Sequence, residues 1–137
     1  MTSGTSSGRE PVLSVVDLSV EFVSGGTTVR AVDRVSLEIA FGETVCVVGE
    51  SGSGKSVTSL AIMGLLTSGQ PKVSGEIVFR SGEGGARDLL ALAPAAMTRI
   101  RGAEIAMIFQ EPMTSLNPLQ SIGNQIGEML VIHGGDG

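Results

Sequence analysis

The chain predicts an α/β fold with an antiparallel β section at its N-terminal end. Three observations carry that expectation. The short all-apolar run Val45 to Val48 leads into a glycine-rich loop and then an apolar helical stretch, the strand, loop, helix order of a sheet covered on both faces. A second apolar run, Ile105 to Phe109, ends abruptly at Gln110-Glu111-Pro112, where polar residues and proline break a strand. Ahead of both, segments rich in Val and Leu flank Ser24-Gly25-Gly26-Thr27, the turn chemistry of a hairpin.

The balance of residue types supports a packed core. Hydrophobic residues make up 42% of the 137, charged residues 17%, and mean hydropathy is +0.33, which excludes the low-hydrophobicity, high-charge composition of a disordered chain. The length fits one domain, residues 11–137, behind a Ser/Gly/Thr-rich flexible tail at 1–10. The 20 glycines follow no three-residue period, so a collagen-like chain is excluded. Nine basic against fourteen acidic side chains leave a net charge of −5, the wrong sign for gripping a phosphate backbone over a broad surface, and no nucleic-acid partner is expected. The single cysteine, Cys46, lies among Val45, Val47 and Val48 and reads as a small core residue of a chain from a reducing compartment. No run reaches the ~18 apolar residues of a membrane span, and the first residues carry no apolar leader.

In chain order, Pro11 to Val23 reads as a strand, and Val35, Leu37 and Ile39 alternate with Ser36, Glu38 and Ala40 as in a half-buried one. Phe41-Gly42-Glu43 marks a second turn. Val57 to Leu66 suits a buried helix, with the helix beginning near Lys55. Glu76 to Arg80 reads as a strand and Ser81 to Arg87 as a glycine-rich turn or loop. Pro94 to Arg101 suits a short helix, with Pro94 in its first turn and Gly102 just past its end. Ile122, Ile126, Met129 and Leu130 form a helical stripe. Met63, Met107 and Met129 read as core filler, and His133, the single histidine, as a surface residue with no carboxylate or cysteine cluster around it.

The chemistry lies in Gly49-Glu50-Ser51-Gly52-Ser53-Gly54-Lys55-Ser56, which satisfies G-x-x-x-x-G-K-[ST] in full. Glycines at 49, 52 and 54 permit backbone angles and close approaches that a Cβ forbids, so that successive N–H groups can face phosphate oxygens. The following helix adds the positive end of its dipole. Lys55 is placed to reach the β and γ phosphates, and the Ser56 hydroxyl to ligate Mg²⁺. A nucleoside triphosphate with magnesium is the ligand this pattern calls for. An accidental glycine-rich linker is the competing explanation, and the flanking apolar strand and helix argue against it.

Beyond the loop, Ile108-Phe109-Gln110-Glu111-Pro112-Met113-Thr114-Ser115-Leu116-Asn117-Pro118 resembles the Q-loop region of ABC transporter ATPases. With the phosphate loop it is similar to the subfamily that drives dipeptide, oligopeptide and nickel uptake in bacteria. Arg30-Ala31-Val32-Asp33, Gly42-Glu43, Gly75-Glu76-Ile77 and Gly102-Ala103-Glu104-Ile105-Ala106-Met107 resemble that subfamily at matching places, so the likeness runs from about Val12 to His133. It implies a P-loop NTPase domain of the ABC type with an N-terminal antiparallel β subdomain. ATP and Mg²⁺ would be held by Gly49, Ser51, Gly52, Ser53, Gly54, Lys55, Ser56 and Val57. Gln110 would serve catalysis by reaching the Mg²⁺ or the attacking water, and Ser56 would be the other metal ligand. The family stacks adenine on an aromatic of the N-terminal sheet, for which Phe22 is the candidate, with core packing its alternative role.

The resemblance also implies partners: transmembrane permease subunits met through the loop 110–118, and a second ATP-binding subunit. It places the protein peripherally on the cytoplasmic face of the plasma membrane. The family's Leu-Ser-Gly-Gly-Gln signature, its Asp-Glu strand and its switch histidine have no counterpart up to Gly137, so the chain reads as the N-terminal part of the domain. Hydrolysis needs those carboxylates, and the ATPase activity is therefore expected of the complete domain. Two apolar strands would then lack neighbours, and poor folding or aggregation is expected of the isolated chain. A different P-loop enzyme, such as a small-molecule kinase, and a non-enzymatic interaction module are the alternatives.

Overall fold

The computed structural model describes residues 10–67, 71–81, 85–110 and 116–133. Residues 1–9 of the tail expected at 1–10, the Q-loop stretch Glu111 to Ser115 and residues 134–137 lie outside the described residues, as do the side chains of Met129 and His133. Two compact units form, Met1–Ala93 and Pro94–Gly137.

The first unit is built on a four-stranded antiparallel sheet of order β2-β1-β3-β4, with β1 at Leu13–Ser24, β2 at Thr27–Ile39, β3 at Lys72–Ser81 and β4 at Gly85–Asp88. The expected hairpin forms its β2–β1 side. Ser24 pairs with Thr27 across Gly25 and Gly26, whose φ angles of 57° and 80° match the right-handed twist of the strands it joins. Along β2, Val35, Leu37 and Ile39 alternate with exposed Ser36 and Glu38, as their pattern predicts. Val15, Leu18, Val20, Val32, Ile77, Phe79 and Leu89 form the buried apolar set, joined by Ala61 and Met63 of the helical segment that packs on β1 and β2. Fully burying such side chains contributes roughly 1.5–3 kcal/mol each, which makes this face the unit's main source of stability.

Asp17 and Arg34 carry positive φ, 49° and 46°, where a side chain is disfavoured. Each is held by a serine hydroxyl from the neighbouring strand. The Asp17 N–H donates to Ser36 Oγ at 2.9 Å and the Arg34 N–H to Ser19 Oγ at 3.0 Å, so both irregular amides find partners off the ladder. On its other side the distorted stretch of β1 presses on β3 at Gly75, whose φ is 107°. A Cβ there would lie 2.7 Å from Val16 O and 2.8 Å from Asp17 O.

Helix α1 spans Lys55–Ile62, shorter than the expected Val57 to Leu66. Gly64, at φ 61°, ends it: its N–H donates to Ala61 O at 3.0 Å and the Leu65 N–H to Leu60 O at 2.9 Å, the bond pair of a left-handed C-terminal cap. Within the stretch read as a turn or loop from Ser81 to Arg87, Ser81 ends β3 and Gly85 to Arg87 belong to β4, which pairs Arg87 with Phe79 and Gly85 with Ser81, while residues 82–84 lie outside the described residues. Its glycines suggest a turn, but Arg87 lays its guanidinium 5.7 Å from the Phe79 ring centre and donates from Nη2 to Ser81 Oγ at 2.7 Å, anchoring an edge strand.

The second unit contains α2, Pro94–Ile100, and α3, Ile122–His133. Met97 and Ile100 are buried. Gly102, at φ 82°, follows α2 as its sequence position predicts. The stripe on α3 is present, but Ile122, Ile126 and Leu130 are exposed rather than buried. No helix among the described residues is long and apolar enough to cross a membrane.

Neither Val45 to Val48 nor Ile105 to Phe109 forms a strand ladder, which corrects the expectation of two doubly covered strands. Ile105 makes only an isolated bridge to Arg101. Val48 is 84% exposed and Ile108 94%, and Cys46, read as a core residue, is exposed as well. A continuous apolar run becomes a central strand only where neighbours accept its N–H and C=O groups, and the described residues supply none. Replacing Gly75 by alanine would add left-handed strain and a backbone clash, costing roughly 2–4 kcal/mol; thermal unfolding of the variant should show a clearly lowered midpoint, whereas Gly85→Ala, with open space around it, should lower it less.

Candidate functional site

The loop from Gly49 to Ser56 is shaped by its backbone first. The Ser53 N–H donates to Glu50 O at 3.2 Å, turning the chain, and Gly52 and Gly54 follow with φ of 81° and 91°. At Gly54 space is the sharper constraint: a Cβ would stand 2.6 Å from Ala31 O and 3.3 Å from Val32 Cγ2. The end of the loop therefore sits directly on the β2 backbone. Sequence reasoning missed this seat, because an alanine carbonyl carries no compositional signal; its trace is the third glycine of the motif.

Helix α1 begins at once behind the loop. Its first helical bond runs from the Thr58 N–H to Gly54 O, 2.8 Å, and the Thr58 hydroxyl donates to the same oxygen at 3.0 Å. The amides of Lys55, Ser56 and Val57 precede that bond. Gly54 offers no side chain to cap them and the first turn holds no acidic residue, so the positive end of the helix is not neutralised by the chain itself. Such an end suits an anion.

The Lys55 ammonium folds back over the loop. It donates to Gly49 O and Glu50 O, each at 2.6 Å, and to Ser53 Oγ at 3.3 Å, which engages its three donors and joins the loop's first residues to its last. A turn that accepts only glycine at its seat, an uncapped helix start and a local cation together fit a polyphosphate group. Ser56 is exposed on the first turn, Val57 half-buried beneath it, and Ser51 and Ser53 exposed on the loop.

Phe22 lies half-buried on β1, paired with Val29. It stands two residues beyond Val20, whose partner Val32 touches Gly54, so the strand pair that carries Phe22 is the pair that seats the loop. On the same strands Arg30 donates to Glu21 Oε1 at 2.8 Å and to Asp33 Oδ1 at 3.1 Å. The bond to Glu21, and then the charges of Asp33 and Glu21, raise the pKa of this exposed guanidinium. Arg30 is thereby occupied locally. Gln110 belongs to the second unit, exposed at the bend that closes the run 105–109, and of the segment 110–118 the described residues include Gln110 and Leu116 to Pro118.

Residues 32–135 match the family described as ABC transporter. The chain is 52% identical over 127 residues to a peptidoglycan transport ATP-binding protein of Agrobacterium fabrum, covering 90% of this chain and 22% of that protein. It is 51% identical over 125 residues to a dipeptide transport ATP-binding protein of Bacillus subtilis, covering 90% of this chain and 36% of the relative. A glutathione import ATP-binding protein of Salmonella typhimurium is 50% identical over 125 residues, with 90% of this chain and 20% of that protein covered. The chain thus spans between about a fifth and two fifths of the length of the curated relatives it matches. With a family match over most of its residues and a phosphate-loop geometry to go with it, the chain belongs to the ABC transporter family.

Proposed function

We propose that this chain provides the phosphate-gripping part of an ATP-binding subunit that powers import of small peptides through a membrane permease. The observation that carries this reading is the uncapped start of α1 behind a loop bridged by the Lys55 ammonium. The peptide class rests on relatives whose names carry dipeptide, peptide and glutathione transport.

The residues divide the work by their chemistry. Amide N–H groups at Gly52, Gly54, Lys55, Ser56 and Val57, with the Ser51 and Ser53 hydroxyls beside them, donate to phosphate oxygens in place of water. Lys55 exchanges the carbonyls of Gly49 and Glu50 for β and γ phosphate oxygens. Ser56 offers its hydroxyl to Mg²⁺, and the ion, when bound, neutralises charge on the transferred phosphoryl group. Phe22 offers a ring face to the adenine. Gln110 orients the attacking water or the metal, and the segment 110–118 carries its displacement to the permease subunits. A second ATP-binding subunit completes the working unit, at the cytoplasmic face of the membrane.

In the full-length protein, Lys55→Ala removes charged hydrogen bonds worth roughly 2–3 kcal/mol, so Mg–ATP titration calorimetry should show affinity falling about 30- to 150-fold. Affinity within threefold of the parent would overturn the assignment. Gly54→Ala should weaken Mg–ATP binding and lower the unfolding midpoint together, because the added methyl lifts the loop from Ala31; a lowered midpoint with unchanged affinity would separate the seat from the site. Gln110→Ala is expected to lower turnover on the order of 10²-fold while leaving Mg–ATP affinity within about threefold, since it acts on the water rather than on the phosphate grip; steady-state hydrolysis beside the same titration checks the split.

A further inference from the structure

Within the second unit, one side chain closes the stretch that follows the Q-loop onto α3. Gln125 stands in the first turn of that helix, yet its side chain bonds to the segment that precedes the helix. Its Oε1 accepts from the Asn117 N–H at 2.9 Å, and its Nε2 donates to Asn117 O at 3.0 Å and to Gln120 O at 3.1 Å. A primary amide has one oxygen and two N–H donors, and here every one is spent on the preceding segment. The two bonds to Asn117 reproduce what a paired β-strand would offer that residue.

Capping is not the reason for this arrangement, because it is met elsewhere: Ser121 Oγ accepts from the Asn124 N–H at 3.2 Å. The segment is already tightened from within. Asn117 Oδ1 accepts from the Leu119 N–H at 3.0 Å, the Gln120 N–H reaches Asn117 O at 3.2 Å, and Pro118 restricts the backbone between them. Gln125 therefore ties a pre-formed turn to the helix at a single residue, Asn117.

We infer that Gln125 is a positioning residue: by clamping Asn117 to α3 it makes the end of the transmission segment move with the helix instead of swivelling at the turn. This rests on the reading of 110–118 as the route to the permease. Without the clamp, a shift at the permease end dissipates in rotation about residues 117–121. With it, the shift is shared by turn and helix as one body.

The test uses the full-length protein reconstituted with its permease partners in phospholipid vesicles, comparing Gln125→Ala, Gln125→Glu and Gln110→Ala. The readouts are hydrogen exchange of peptides covering 116–121, Mg–ATP affinity, and the ratio of permease-stimulated to basal ATP turnover. Gln125→Ala should speed exchange about tenfold or more and lower the stimulation ratio several-fold, with Mg–ATP affinity and basal turnover within twofold. Gln125→Glu keeps the acceptor for the Asn117 N–H but loses both donors, and should fall between parent and alanine. Unchanged exchange in Gln125→Ala overturns the clamp. Faster exchange with an unchanged ratio, while Gln110→Ala lowers that ratio, overturns the positioning role. A ratio indifferent to both variants overturns the transmission reading, and the positioning role with it.

Discussion

The first unit is organised by one close approach, the Gly54 backbone resting on the carbonyl of Ala31. A glycine is required where a Cβ would stand 2.6 Å from that oxygen, and the contact brings loop, helix and sheet together at a single point. From there α1 runs over β1 and β2, placing Ala61 and Met63 with Leu18, Val20 and Val32 in the buried face. The sheet that receives it is stiffened by two reciprocal serine bonds across the irregular stretches at Asp17 and Arg34. A loop seated on such a floor holds its shape without contributing a hydrophobic residue of its own.

Charge is spent locally in this molecule. An overall charge of −5 gives no general attraction for an anion, so in the proposed function phosphate affinity rests on one ammonium and on helix amides left uncapped. Lys55 is already satisfied by Gly49 O and Glu50 O, so under that proposal a polyphosphate would compete for it with the loop's own carbonyls. Two cations of the sheet are engaged differently: Arg30 with Glu21 and Asp33, and Arg87 with Ser81 and the Phe79 ring. The second unit uses neutral amides for a similar purpose, with Gln125 and Asn117 fastening a turn that carries no charge.

Much of the local architecture was legible in the residues. Ser24-Gly25-Gly26-Thr27 announces its hairpin because two adjacent glycines tolerate the positive φ the turn needs. Pro94 and Gly102 bracket α2 for equally local reasons, and the loop motif foretells both its glycines and the helix behind it. The misreadings share one cause. Val45 to Val48 and Ile105 to Phe109 have the composition of buried strands, but burial and laddering are supplied by neighbours, and no ladder partner occurs among the described residues. Cys46 was misplaced with them. In the other direction, β4 was hidden in a glycine-rich stretch and is held by Arg87, a residue whose partner lies on another strand.

The sequence by itself determined the phosphate-loop motif, the family, the hairpin and the end of α2 at Gly102, since all of these follow from backbone freedom and side-chain type within a few residues, whereas the stop of α1 at Gly64 falls inside the stretch that reads as helix. Only the tertiary structure decided where the loop is seated, how the two strand irregularities lend each other serine hydroxyls, and that Gln125 grips Asn117. Those are meetings of groups distant along the chain, or of a side chain with a backbone atom that every residue possesses, and no pattern of residue types records them.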